Sequence, residues 1–324
     1  MTSELHIVYA TDSGYLIPTI VAAGSALSWA NSKSEMHIHI LDCGLENSQW
    51  EYLSRSLRER CGFEFSLLRH HIDMSRYDGL PQWHGSLGLY ARFEIPNILQ
   101  DVDWCVYADG DTLFTGNPRQ LRTLADDSLL ILGKKDVVSE AQRSWHISRG
   151  LPWKEDERVC SGFLLMNLKK FREENVCSRL FDFVRKYKNN LINPDQDALN
   201  YVCRGRIGVL PAGWGAFPFE LGALSKIWCI HYAPTKPWRP ETKGYFPLSL
   251  STRLWLDAAK KICNKSAWRL WGPVYCWASV KTVVFAVLIR ILNDIPLFRG
   301  RYEGGLRLLA TRRKMRQYAV PDKV

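Results

Sequence analysis

No two of the nine cysteines in this 324-residue chain stand in a C-x-x-C pair. That absence argues against a zinc site, and the odd cysteine count argues against a simple disulfide framework. Cys105 and Cys229 lie in apolar runs, so the thiols are expected to be reduced core residues of a cytoplasmic protein. The first ten residues include Glu4 and neither lysine nor arginine, and no apolar stretch leads to a small-residue cleavage site. A secretory start is therefore not expected. Thr282 to Ile289 is uncharged but bracketed by Lys281 and Arg290. It falls far short of the ~20 residues a membrane-spanning helix needs. Long Gly/Ser linkers and internal repeats are also missing.

What is present suits a packed globular core: 46% hydrophobic residues, with 12% aromatics. The net charge of +10 is placed very unevenly. From Asn264 onward twelve Lys/Arg face only Asp294, Glu303 and Asp322, so nine of the ten net positive charges lie there. The body before that point is nearly neutral, and nucleic acid is not needed to explain its composition.

Along the chain, "HIVYAT" (6–11) reads as a buried strand followed by the turn "DSGY". Ile17 to Ala30 has a helix-like, alanine-rich composition. "MHIHILD" (36–42) reads as a second strand, Ser48 to Cys61 as a helix, and "FEFSLL" (63–68) as a third strand. Alternating strands and helices predict an α/β fold with parallel pairing. Ligands of such sheets lie beyond the carboxyl ends of the strands. Asp12, Asp42, Asp109 and Asp111 all fall at such ends, on a rim suited to a metal or a polyhydroxylated ligand. His37 and His39 share one strand face; a metal pair is one reading, and solvent-facing alternation is the simpler one. His70 and His71 give no specific signal.

"VYADGD" (106–111) stops an apolar run on two aspartates. In an extended backbone Asp109 and Asp111 project to one side, a pairing that suits Mg²⁺ or Mn²⁺ with open positions for phosphate oxygens. Gly110 between them would permit a tight turn and close ligand approach. The plain alternative is a solvated turn, because "DGD" is also ordinary turn chemistry.

Five further segments surround that tripeptide: "VYATDSGY" (8–15), "LGLYARFEIP" (87–96), "CSGFLLMNLKKF" (160–171), "NPDQDALN" (193–200) and "IHYAPTKPW" (230–238). With the DxD they resemble, in order, glycosyltransferase family 8 of the GT-A fold, in particular bacterial lipopolysaccharide galactosyl- and glucosyltransferases. The resemblance implies a Rossmann-like, mostly parallel sheet flanked by helices over residues 1–250. It also implies retaining transfer of galactose or glucose from a UDP-sugar to a glycan or lipid-linked saccharide, with Mn²⁺ as cofactor and Mg²⁺ as an alternative.

Position by position, the resemblance makes Asp109, Asp111 and His231 the metal ligands. Asp12 and Tyr15 would receive the uridine, with Gly14 standing where the family often has asparagine. Arg92, Gly110 and Ser161 would line the donor site. Lys236 would meet the diphosphate, and Asp195 and Gln196 would lie by the anomeric carbon, where Gln196 would stabilise positive charge or act as a weak nucleophile. Asp195 and Asp136 would hydrogen-bond sugar hydroxyls. Asn193 and Pro194 also read as the start of a helix.

Two departures stand out. Cys160 replaces a donor-contacting asparagine, and a thiol is a weak hydrogen-bond donor. The stretch from His231 to Lys236 is one residue shorter than usual, with Pro234 displacing a glycine. These departures support an alternative, a catalytically decayed relative that binds sugar nucleotides or glycans. Residues 251–324 read as a helical, basic extension docking on an anionic membrane surface, the plain alternative being a soluble basic tail; docking predicts a protein on the cytoplasmic face of the inner membrane.

Overall fold

The computed structural model describes residues 4–29, 36–60, 65–136, 138–151, 158–233, 236–238, 250–263 and 284. Nine strands are present among them: β1 (Leu5–Thr11), β2 (Met36–Asp42), β3 (Ser66–His71), β4 (Trp104–Ala108), β5 (Thr112–Phe114), β6 (Ile131–Lys135), β7 (Val159–Asn167), β8 (Ile207–Val209) and β9 (Cys229–His231). Seven form one sheet in the order β3-β2-β1-β4-β7-β6-β8. Every neighbouring pair is parallel except those made by β7, which runs against both β4 and β6. The α/β expectation with a mostly parallel sheet therefore holds.

The sheet carries a core on each face. On one side lies α1 (Leu16–Leu27), where every residue but Ile17 is buried. A helix that is apolar all round must be covered all round. The sheet takes one side of α1, while α2 (Asn47–Arg60) and the helix Leu250–Ile262 take others. Gly24 makes the last contact possible, because a Cβ there would stand 2.4 Å from Cγ2 of Ile262. Trp255, Leu256 and Ile262 belong to this same core. The opposite face is covered by the 3₁₀ segment Gly88–Glu94 and the helices Leu168–Glu173, Val176–Tyr187 and Pro194–Val202.

Several local expectations change. The third strand runs from Ser66 to His71 and so takes in His70 and His71. The solvent-facing alternation expected for His37 and His39 fails at His39, which is only 4% exposed. It is hydrogen-bonded to His6 and to His70, each at 3.0 Å. Asp42 does not serve the rim either. Its Oδ1 accepts from the backbone N–H groups of Gly44 (2.9 Å) and Leu45 (2.6 Å), and Arg69 donates to Oδ2 at 2.8 Å. Those partners commit it to the β2 turn.

Among the described residues no helix is long and apolar enough to cross a membrane. The tryptophan-rich, basic stretch of the expected membrane-docking extension lies outside the described residues, Val284 apart.

Candidate functional site

A cavity of about 620 Å³ opens beyond the carboxyl ends of β1 and β4. Asp12, Tyr15, Arg92, Asp109, Gly110, Asp111, Cys160, Ser161, Asp195, Gln196, His231 and Lys236 all line it. Of the expected site residues only Asp136 lies outside the lining, and it reaches the wall through Gln196, whose Nε2 donates to its Oδ2 at 2.9 Å.

The acidic floor is built by a change of sheet. After β4 the chain passes through Asp109–Asp111, and β5 leaves the main sheet to pair antiparallel with β9. In that register Thr112 faces His231, and the Tyr232 N–H donates to the Asp111 carbonyl at 2.9 Å. Two segments more than a hundred residues apart thus deliver their polar ends to one point. Nε2 of His231 lies 3.3 Å from Asp111 Oδ1 and 3.8 Å from Asp109 Oδ2. The three side chains offer ligand atoms that all lie within 4.8 Å of one another.

Electrostatics show what this floor requires. Burial works against charge on Asp111, yet Lys236 and then His231 hold its carboxyl far below the ordinary range. Burial likewise opposes charge on His231, but Asp111 and Cys160 outweigh it and push the imidazole up to about 10. Lys236 forms an ion pair with Asp111 Oδ2. Asp111 Oδ1 is buried without a geometrically sound hydrogen bond. Two carboxylates and an imidazole that gather positive charge, with one carboxylate oxygen still unsatisfied, fit a hard divalent cation such as Mn²⁺ or Mg²⁺.

Arg92 is a buried hub. Its Nη2 donates to Asp109 Oδ1 (3.0 Å), Nη1 to the Ser161 carbonyl (2.7 Å) and Nε to the Leu89 carbonyl (3.0 Å). Nη1 also lies 2.9 Å from Asp195 Oδ2, and the guanidinium sits 4.5 Å from the ring centre of Tyr107. Burial opposes its charge, but Asp109 and Asp195 overcome that and raise its pKa further. Burial raises the Asp195 carboxyl above its usual value despite Arg92.

Gln196 is held at both ends, because its Oε1 also accepts from the Ser161 N–H at 3.0 Å. Asn193 precedes the helix Pro194–Val202 but makes no side-chain cap. Asp197, in the first turn, instead ties the preceding loop to the helix, its Oδ2 accepting from the Ile192 and Asn193 N–H groups at 3.0 and 3.1 Å. At the other end of the cavity Asp12 Oδ1 accepts from the Tyr15 N–H at 3.0 Å. The Tyr15 ring meets Trp238 edge-on, with 6.0 Å between centroids.

Gly110 is not in the left-handed region. It is small because a Cβ there would lie 2.4 Å from Thr19 Oγ1 on α1. Residues that sequence reasoning missed include Tyr107, whose hydroxyl donates to Asp109 Oδ1 at 2.7 Å, and Gly162. Tyr107 adjoins the DxD in sequence, but its strand-interior position gave no sign of this bond. Cys160 also has a partner that its sequence context does not suggest, with its Sγ 3.7 Å from Nδ1 of His231. Pro234 lies outside the described residues; Lys236, beyond it, reaches Asp111 despite the short spacing.

The family model for Glycosyl transferase family 8 matches residues 6–242. A provisionally named glycosyltransferase of Haemophilus influenzae is 21% identical over 249 residues, covering 73% of this chain and 74% of that protein. Glycosyltransferase GlyE of Streptococcus pneumoniae is 25% identical over 218 residues, 67% of this chain and 48% of its own length. Among solved structures, galactosyltransferase LgtC in complex with donor and acceptor sugar analogs superposes with a TM-score of 0.70. The identity is 22%, with 82% of this chain and 99% of LgtC covered. That likeness shows a shared fold, the GT-A arrangement described above. With the family match spanning most of the sequence, this chain belongs to glycosyltransferase family 8.

Proposed function

We propose that the chain transfers a hexose, galactose or glucose, from a UDP-sugar to a glycan or lipid-linked saccharide with retention of configuration. The observation that carries this reading is the convergence of Asp109, Asp111 and His231 on the floor of a cavity that also holds Lys236, Gln196 and Tyr15. Mn²⁺ or Mg²⁺ held by Asp109, Asp111 and His231 would neutralise charge on the departing diphosphate.

The chain's own residues divide the remaining tasks. Tyr15 offers an aromatic face and Asp12 a carboxylate to the nucleoside. Lys236, on the wall beside Asp111, supplies a fixed ammonium for phosphate oxygens. Arg92, with its donors engaged by Asp109, Asp195 and Ser161, positions the acidic groups. Gln196 has an amide fixed by the Ser161 N–H and Asp136, so its orientation costs nothing at the moment of reaction. Its Oε1 is an uncharged dipole suited to stabilising positive charge at the anomeric carbon, which fits a same-face route to retention. Asp136 and Asp195 remain candidates for the sugar hydroxyls.

A donor screen that measures UDP release with and without Mn²⁺ tests this reading. Metal-dependent release from UDP-galactose or UDP-glucose is expected. Tight binding of UDP-sugars with neither hydrolysis nor transfer would favour the decayed relative instead.

The basic C-terminal residues support a second part of the proposal, docking on an anionic leaflet at the cytoplasmic face of the inner membrane. Each Lys or Arg near such a surface contributes about 1 kcal/mol. Flotation with anionic liposomes is expected for the full chain and lost for a chain ending at Cys263; equal flotation of the two counts against it.

A further inference from the structure

A second group of metal-ligating side chains lies away from the cavity, at the amino ends of β1 and β2. His6 and His37 are register partners on these adjacent parallel strands, and their rings stack with centroids 4.5 Å apart. Glu4, just before β1, reaches both: its carboxylate oxygens lie 3.7 Å from His6 Nε2 and 3.8 Å from His37 Nε2. All three ligand atoms fall within 4.8 Å of one another. The side chains of His6 and His37 are 12% and 24% exposed, so an ion can enter from solvent.

Behind this group the second ring nitrogen of His6 is already committed. His6 Nδ1 lies 3.0 Å from His39 Nε2, and His39 Nδ1 lies 3.0 Å from His70 Nε2. A chain of neutral imidazoles can run in either sense: with Nδ1–H of His6 donating to His39 and Nδ1–H of His39 donating to His70, Nε2 of His6 is a lone pair, and in the reverse sense Nε2–H of His6 points to Glu4. A cation between His6 and Glu4 selects the first sense, with His39 as the partner on the second nitrogen of His6. A ligating histidine ordinarily has such a partner on its second nitrogen, which fixes the ring and raises its basicity.

We propose that Glu4, His6 and His37 form a second cation site, distinct from the DxD floor, that takes a borderline transition metal, Zn²⁺ being the best fit. Two imidazoles and one carboxylate are a zinc donor set, with the fourth position open to water. The DxD floor, with two carboxylates and one imidazole, prefers harder ions. In a tetrahedral zinc site ligand atoms stand about 3.3 Å apart. Closing on one ion shortens the two carboxylate-to-imidazole separations by about 0.5 Å and turns the two stacked rings, 14° between their planes, toward a common point. Bound there, the ion would tie the start of β1 to β2, a clamp on the sheet rather than a part of the transfer reaction.

Zinc titration of the EDTA-stripped full-length chain tests the site, with Asp109→Asn as the background so that the DxD floor is disabled. One Zn²⁺ equivalent is expected to remain in Asp109→Asn and to raise its Tm. Adding His37→Ala, or separately Glu4→Gln, is expected to weaken that equivalent at least tenfold and to remove the Tm rise. Co²⁺ in the same background should show the d–d absorption of a tetrahedral site, absent after His37→Ala. His37→Ala in the otherwise unaltered chain should leave Mn²⁺-dependent UDP release unchanged. Zinc affinity equal in Asp109→Asn with and without Glu4→Gln overturns the proposal, and so does the absence of any zinc equivalent in Asp109→Asn. Glu4 is an exposed residue, so its variant stays informative even if His37→Ala fails to fold. Neither result depends on whether the chain transfers sugar.

Discussion

A Cβ on Gly162 would lie 2.3 Å from Cε1 of His231 and 2.6 Å from Asp109 Oδ2. The glycine, on fully buried β7, is the gap through which two of the three floor side chains approach each other. Gly162→Ala is therefore expected to push His231 off the floor by a substantial part of an ångström. Misplacement on that scale costs about 100-fold in rate. UDP release at saturating Mn²⁺ reads the loss, while a nearly unchanged circular dichroism spectrum separates it from unfolding.

Asp109→Asn is the cleaner test of the metal floor. The side chain of Asp109 is 28% exposed, and an asparagine oxygen can still accept from Tyr107 and Arg92. Metal-dependent turnover should fall by three orders of magnitude or more, in line with a Lewis-acid contribution of several kcal/mol. Near-normal turnover without metal in this variant would sink the proposed function. Asp111→Asn is a harsher change, because it takes the ion-pair partner from buried His231 and half-buried Lys236. Breaking a buried pair in this way costs roughly 3–5 kcal/mol of stability.

Cys160 faces the second nitrogen of His231. If it orients that ring, Cys160→Val should raise the Mn²⁺ concentration for half-maximal activity by about 10–100-fold. Cys160→Ser, which keeps a polar atom toward Nδ1, should recover most of it. Equal Mn²⁺ dependence of the valine variant and the parent would exclude the orienting role.

Asp42 predicts an acid limb. Burial favours its neutral form, but the N–H groups of Leu45 and Gly44 and the Arg69 guanidinium outweigh burial and lower its pKa. The folded-state value thus lies below the unfolded one. Its stabilisation is complete above the unfolded pKa of about 3.9 and is lost as the pH falls through the folded value. Asp42→Asn should cost about 1.5–3 kcal/mol at pH 7. The gap between variant and parent should narrow below about pH 4 in urea unfolding followed across pH.

The helix Leu250–Ile262 sets Trp255 and Ile262 in the core with α1. Ile262→Ala empties the space beside Gly24 and is expected to cost about 2–5 kcal/mol, read as a lower Tm.

Much of the frame was legible in the residues themselves. β1, α1, β2 and α2 declare themselves by apolar runs, an alanine-rich stretch and turn residues, since these follow from local burial and propensity. The DxD aspartates are visible because an apolar strand ending in two acids is conspicuous chemistry. Other features depended on distant partners. His37 and His39 look alike in sequence, yet His39 is buried between His6 and His70 while His37 sits with His6 and Glu4. Asp42 and Asp109 both end strands, but Arg69 and two backbone N–H groups claim the first.

The sequence alone determined the alternation of strands and helices, the near-neutral body with its basic tail, and the family to which the motifs point. Those properties are local, or additive along the chain. Only the tertiary structure decided which polar side chains meet: β5 crossing to β9 to bring Asp111 to His231, Cys160 turned to the ring of His231, and Arg92 buried as a tie between Asp109 and Asp195. Such contacts depend on strand pairing across long separations, where register and burial choose a partner that no neighbouring residue specifies.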